Sequence, residues 1–191
     1  IHMKGHGDYT VLGRTIDDAA GEAYDKVARY LDLGYPGGPV IDRIAAEGNP
    51  HAVEFPRAMM HDGLDVSFSG LKTSVINHVR RNPEMSNVDI AASFQAAVVD
   101  VLCAKTIKAA QQVGARGIVL GGGVSANSFL RSEMTRRGGE AGLKVALPSR
   151  AMCTDNAAMI AAAAWHRLQS DGPRDLDCGA YPNLKLAEVP R

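Results

Sequence analysis

The stretch Gly117-Ile118-Val119-Leu120-Gly121-Gly122-Gly123-Val124-Ser125-Ala126-Asn127 joins a short apolar run to a helical pattern through three consecutive glycines. Bare backbone at such a turn lets a ligand approach closely, and the free N–H groups and positive end of the following helix attract phosphate. The same glycines would also serve a tight strand-to-helix connection with no ligand. Asn127 can offer donor and acceptor to a ribose or base, or it can cap the helix. Spacing leaves both readings open.

Outward from this turn, the chain reads as strands alternating with helices. Gly117 to Leu120 is a short buried strand, Ser125 to Arg137 a helix, Lys144 to Leu147 a strand and Thr154 to Ser170 a last long helix. Upstream, Ser86-x-x-Asp89 opens a helix from Val88 to Val113 with an apolar stripe of Ile90, Phe94, Ala97, Val98, Val101, Leu102 and Ala109, ended by Gly114. Tyr9 to Arg14 is expected as a strand after a hairpin turn at Gly5 and Gly7. Thr15-Ile16-Asp17-Asp18 matches a capping box for a helix from Asp17 to Leu33 that stops at Gly34. Tyr35-Pro36-Gly37-Gly38-Pro39 is expected to be a turn, with a short helix from Val40 to Glu47 after it. Asn49 to Leu64 is irregular, Asp65 to Ser69 alternates like a strand, and Gly70 onward turns helical. The pattern predicts an α/β fold with helices packed on a sheet.

The 191 residues are 46% hydrophobic, and 21 Lys+Arg balance 21 Asp+Glu, so no general basic field marks a nucleic-acid surface and any RNA contact must be local. Cys103, Cys153 and Cys178 lack C-x-x-C spacing and fit a reducing cytosol. No apolar run approaches the roughly 20 residues of a membrane span. Ile1-His2-Met3-Lys4-Gly5-His6-Gly7 has no signal-peptide core and no initiator in first position, which predicts a start in mid-protein.

Several residues could carry chemistry. Glu22 and Asp25 share a helix face, with Lys26 and Arg29 four residues beyond them in the order that suits surface ion pairs. Gly21, costly inside a helix, suggests a close contact at that turn from ligand or backbone. Asp155 at the start of the last helix can bind a cation or a donor, or else Thr154 or Asp155 caps the helix. His2 and His6 have the spacing of a helical chelating pair, but Gly5 and Gly7 argue for a turn or strand there. Lys72 reads as a surface lysine that could meet a phosphate, and Cys153 as a buried thiol without a local histidine to activate it.

Together with Asp17-Asp18-Ala19-Ala20-Gly21-Glu22-Ala23-Tyr24-Asp25-Lys26, Tyr35-Pro36-Gly37-Gly38-Pro39, Phe68-Ser69-Gly70-Leu71-Lys72-Thr73 and Cys153-Thr154-Asp155-Asn156, the glycine-rich turn gives a set that resembles the TsaD (Gcp) family. The resemblance runs from Leu12-Gly13-Arg14 through Leu186-Ala187-Glu188-Val189-Pro190. It implies the actin-like ATPase (ASKHA) fold of two RNase H-like lobes, with residues 1–152 in the C-terminal lobe. Residues 153–191 would form a final helix and tail that pack on the other lobe.

The implied reaction transfers threonylcarbamoyl from threonylcarbamoyl-AMP to the exocyclic amine of the adenosine next to the anticodon of transfer RNA. By position, Asp25, Gly38, Asp42 and Asn127 look like adenylate-binding residues, with the two carboxylates on ribose hydroxyls and Gly38 leaving room for sugar and base. Asp155 looks like one ligand of a single iron or zinc ion that would polarise the carbamoyl carbonyl. The implied partners are tRNA, an inactive TsaB-type paralogue and a small TsaE-type ATPase, in the cytoplasm.

The family's two metal histidines and its Ser-Gly-Gly-His-Thr phosphate loop would lie upstream of Ile1, and His2 and His6 do not take their place. The chain by itself is therefore expected to be inactive. Its last helix is expected to expose Met159, Ile160, Ala163 and Ala164 and to favour self-association or retention of a cleaved N-terminal piece. Arg80-Arg81 and Arg136-Arg137 are the expected RNA contacts. A catalytically inert scaffold is the alternative function, and a metalloprotease lacks H-E-x-x-H or any nucleophile-and-base set.

Overall fold

In the computed structural model, residues 1–175, Gly179 and Leu184 are described. Cys178 and most of the tail beyond 175 lie outside the described residues. In chain order the elements are β1 (His2–Gly5), β2 (Asp8–Thr10), α1 (Ala20–Tyr30), α2 (Gly37–Ala45), α3 (Ser69–Arg81), α4 (Asn87–Gln112), β3 (Gly117–Val119), α5 (Ser128–Glu140), β4 (Lys144–Ala146) and α6 (Ala157–Asp171). Helix and strand mix as an α/β chain should.

The strands do not form one sheet among the described residues. β1 and β2 make an antiparallel hairpin through Gly7, and β3 pairs in parallel with β4 across the α5 crossover. The expected strand at Asp65 to Ser69 reduces to a single parallel bridge between Thr15 and Val66. Its alternation has another cause: Val66 pairs, Phe68 is buried, and Ser67 and Ser69 turn outward to bind Asp17.

Helix–helix packing supplies most of the core. Ala23, Tyr24, Val27 and Ala28 of α1, Ile41 and Ala45 of α2, Leu71 and Val75 of α3 and the first half of α4 bury one cluster with Phe55 and Phe68. The second half of α4 joins Ile118, Leu130 and Met134 in another. α4 therefore runs through both, which is why Ile90 to Val99 is buried on every side rather than along one stripe. By length and composition α4 could cross a membrane, contrary to the reading that no run comes near that length. However, 72% of its most apolar window is buried inside the fold, as in the core helix of a globular domain.

Several ends differ from expectation. α1 begins at Ala20, because Thr15 Oγ1 donates to Asp18 O and receives Asp17 N–H, leaving Ala19 as a cap without a side-chain bond. It ends at Tyr30, four residues before Gly34: Leu33 N–H reaches Ala28 O and Asp32 N–H reaches Arg29 O, with Asp32 at φ 55° in the left-handed region. The glycines and Pro39 of the expected turn open α2 instead. Proline is tolerated there because the first-turn N–H groups have no helical acceptor, and the Tyr35–Pro36 bond is cis. α5 starts three residues late, after a 3-10 turn from Gly123 to Ala126.

Candidate functional site

The N-termini of α2 and α5 and the turn at 121–127 meet around the start of α1. Gly37 packs so tightly on α1 that a Cβ there would lie 2.6 Å from Tyr24 O and 2.7 Å from Asp25 Cα. Asp25 Oδ1 accepts the Gly37 N–H at 2.8 Å. The carboxylate thus turns to the N-terminus of α2, while Glu22 alone forms the expected ion pair with Lys26, at 2.7 Å. Lys26 also holds Asp18 at 2.7 Å. At Gly38, in the same first turn of α2, a Cβ would meet nothing within 4 Å.

Asp42, one turn further along α2, reaches the other helix end. Ser128 N–H lies 3.1 and 3.0 Å from its two carboxylate oxygens, and Ser128 Oγ donates to Oδ1 at 2.8 Å. Asn127 is the N-cap of α5. Its Oδ1 accepts Leu130 N–H at 2.8 Å and its Nδ2 donates to Gln95 Oε1 of α4 at 2.6 Å, with both side chains buried. Capping and ligand binding are compatible at Asn127, because the amide keeps one hydrogen and one lone pair beyond these two bonds.

Gly121, Gly122 and Gly123 are exposed, and only Gly122 demands glycine by conformation, at φ 81° and ψ 166°. A Cβ at Gly21 would lie 3.5 Å from Val124 Cγ2, an ordinary contact, so the close approach expected there is the glycine turn resting on α1. Beneath this junction Tyr24 Oη and Ser125 Oγ are buried without a hydrogen-bond partner among the described residues. Burial and then the nearby Asp42 charge hold the Tyr24 phenol above its usual range. Arg131 ties the turn to the segment after β4 by donating to Ser125 O and Pro148 O.

The other candidates fall elsewhere. Asp155 is exposed and stands one residue before the cap of α6. That cap is Asn156, whose Oδ1 accepts Met159 N–H at 3.0 Å, rather than Thr154 or Asp155. Among the described residues no group of three His, Cys, Asp or Glu could hold a metal ion. His2 lies in β1, and His6 in the hairpin turn stacks on His166 with ring centroids 3.5 Å apart. Cys153 is buried and donates to Ser149 O.

Lys72 sits in the first turn of α3, whose N-terminus already faces an anion. Partial burial raises the Asp17 carboxyl, but bonds from Ser67 Oγ, Phe68 N–H and Ser69 outweigh it and hold the group far below the usual carboxylate range. Arg136 and Arg137, expected on RNA, are engaged by Glu133, Glu140 and Asp100 at 2.5 to 2.8 Å. Arg80 and Arg81 are exposed at the C-terminus of α3.

Sequence reading missed Gln95 and Ser128. For Gln95 a signal existed: it is a lone amide inside the apolar run from Phe94 to Val99. One open groove, of about 960 Å³, runs between β1, the end of α4 and β3 and touches the glycine turn only at Gly121, and another, of about 1180 Å³, lies along residues 50–62.

The family model described as TsaD: tRNA N6-adenosine threonylcarbamoyltransferase matches residues 1–162. Proteins named tRNA N6-adenosine threonylcarbamoyltransferase from Clostridium beijerinckii and Clostridium botulinum strain 657 are 49% and 50% identical over 193 aligned residues. One from Clostridium perfringens is 47% identical. Each alignment covers 98% of this chain, and the chain spans 57% of the length of these relatives.

Proposed function

Because the chain belongs to the TsaD family of tRNA N6-adenosine threonylcarbamoyltransferases, we propose that it forms the adenylate-binding part of such an enzyme. The intact enzyme would move threonylcarbamoyl from threonylcarbamoyl-AMP to the exocyclic amine of a tRNA adenosine. The supporting observation is the meeting of two helix N-termini, an exposed three-glycine turn, Asp25, Gly38, Asp42 and Asn127 at one junction.

Each residue has a task in this reading. The ribose hydroxyls donate to the carboxylate lone pairs that Gly37 and Ser128 leave unused on Asp25 and Asp42. Gly38 admits the sugar and base without a side chain in the way. The positive ends of α2 and α5 favour the adenylate phosphate, and in the reaction they stabilise the AMP that departs as the carbonyl carbon passes to the adenosine nitrogen. Positioning of the amine against the carbonyl supplies much of the rate, and the amine proton leaves to a nearby carboxylate.

Asp155 would supply one ligand of the family's divalent metal, iron or zinc, and no group of three His, Cys, Asp or Glu completes a site around it among the described residues. We assign the ASKHA fold, the division into 1–152 and 153–191, tRNA and the TsaB-type and TsaE-type partners, and a cytoplasmic place on the same family ground. Arg80-Arg81 is the remaining candidate RNA contact, and the exposed α6 the candidate surface for self-association.

Calorimetric titration of ATP, or of a non-hydrolysable threonylcarbamoyl-AMP analogue, into the full-length protein beside Asp25→Ala and Asn127→Ala tests the reading. Affinity is expected to fall by about tenfold or more in both variants. Unchanged affinity in both would overturn the residue assignments, and no binding by the parent would favour the inert scaffold.

A further inference from the structure

Asn127 has two internal bonds, and one of them determines how the other can be made. Leu130 N–H is only a donor, so Asn127 must present Oδ1 to it, and Nδ2 is then left facing α4. A donor buried at that place needs an acceptor, and Gln95 Oε1 is the atom that meets it, 2.6 Å away. Gln95 is itself 4% exposed, among Ala91 to Val99 on the helix that runs through both cores. An amide there costs burial of polar atoms that a leucine would not, and packing offers no return for it. Nearby, Asp42 grips the same helix end through Ser128.

We propose that Gln95 is a positioning residue for the adenylate site, locking the Asn127 amide in the one orientation that caps α5 and leaves its spare hydrogen and lone pair for the nucleotide. The inference rests on the proposed role of Asn127 in binding adenylate. Without the Gln95 acceptor the Asn127 amide loses half of what holds its side-chain torsion. The spare groups then point at the ligand for only part of the time, and the nucleotide must order them when it binds.

The test is a double-mutant cycle in the full-length protein, with ATP as the calorimetric probe and thermal unfolding recorded for every variant. Gln95→Leu is expected to weaken ATP binding about tenfold. Gln95→Glu, which keeps an acceptor at the same reach, is expected to retain most of the affinity. In an Asn127→Ala background Gln95→Leu is expected to cost no further affinity, since the amide it positions is gone.

A folded Gln95→Leu protein that binds ATP like the parent would overturn the positioning role, as would a loss that adds in full to that of Asn127→Ala. If Asn127→Ala alone leaves affinity intact while the parent binds, the reading of Asn127 fails instead, and a parent that binds no ATP removes the nucleotide site and this role together. A stability loss without an affinity loss would mark Gln95 as purely structural.

Discussion

The junction of α1, α2, α4 and α5 and the helix α6 are both rich in small apolar residues, yet they stand in opposite situations. At the junction Tyr24, Ile41, Phe94 and Leu130 are buried, and Asp25, Asp42 and Asn127 each hold a helix end. None of the fifteen residues of α6 is buried, and Met159, Ile160, Trp165 and Leu168 are 49 to 66% exposed. Hydrophobic composition alone thus says little about where stability resides. An apolar helix stabilises a fold only where another element takes its surface out of water.

The sharpest way to break this contrast is Phe94→Ala. The ring is fully buried and stacks edge-on against Tyr24 at 5.1 Å, so its loss should cost about 3–5 kcal/mol in chemical denaturation. Next in size is Gly37→Ala, whose Cβ would collide with the backbone of α1. We expect a loss of about 1–3 kcal/mol and weaker nucleotide binding, because α2 must move away from Asp25. Unchanged stability and affinity would show that α1 and α2 are less firmly joined than these distances imply.

A pH series sharpens the comparison on α5, where Arg137 bridges Glu133 to Asp100 of α4. Bonds from Arg136, opposed by partial burial and supported by Arg137, lower the Glu133 carboxyl from 4.5 to about 2. A depressed folded value means that the ionised form stabilises the fold above about pH 4.5 and that this contribution is lost as pH falls towards 2. Glu133→Gln should therefore lower the unfolding midpoint at pH 7 and converge with the parent near pH 2 to 3. A constant difference across that range would remove the ion pairs as its cause.

Gly21→Ala tests whether the junction is closed or roomy. The methyl has space beside Val124, so stability should rise by about 0.5–1 kcal/mol through the gain in helix propensity. Smallest of all, Ile160→Ser on α6 should change the unfolding free energy by no more than about 0.5 kcal/mol. Sedimentation of the same variant would report whether the exposed face drives self-association: less association than the parent supports that role.

Much was legible from residues alone. Ser86 as a cap, Gly114 as a stop and the glycine turn between β3 and α5 are local signals, and local signals survive because their causes lie within one turn of chain. The strand expected at Asp65 to Ser69 failed for a nonlocal reason. Its outward serines alternate to meet Asp17, some fifty residues earlier. Asp25 had looked like half of a surface ion pair with Arg29 and instead caps α2. For Arg136 and Arg137 the i,i+3 and i,i+4 partners Glu133 and Glu140 stand in the sequence, and only the bond from Arg137 to Asp100 is nonlocal.

By itself the amino-acid sequence determined the family and the alternation of helices and strands, since periodicity, capping and motif order are written along the chain. Only the tertiary structure decided that Asp42 holds the start of α5 through Ser128 and that the Asn127 amide donates to Gln95 of α4. Those facts depend on atoms brought together across 32 to 86 residues, and hydrogen-bond geometry has no counterpart in sequence spacing at that range.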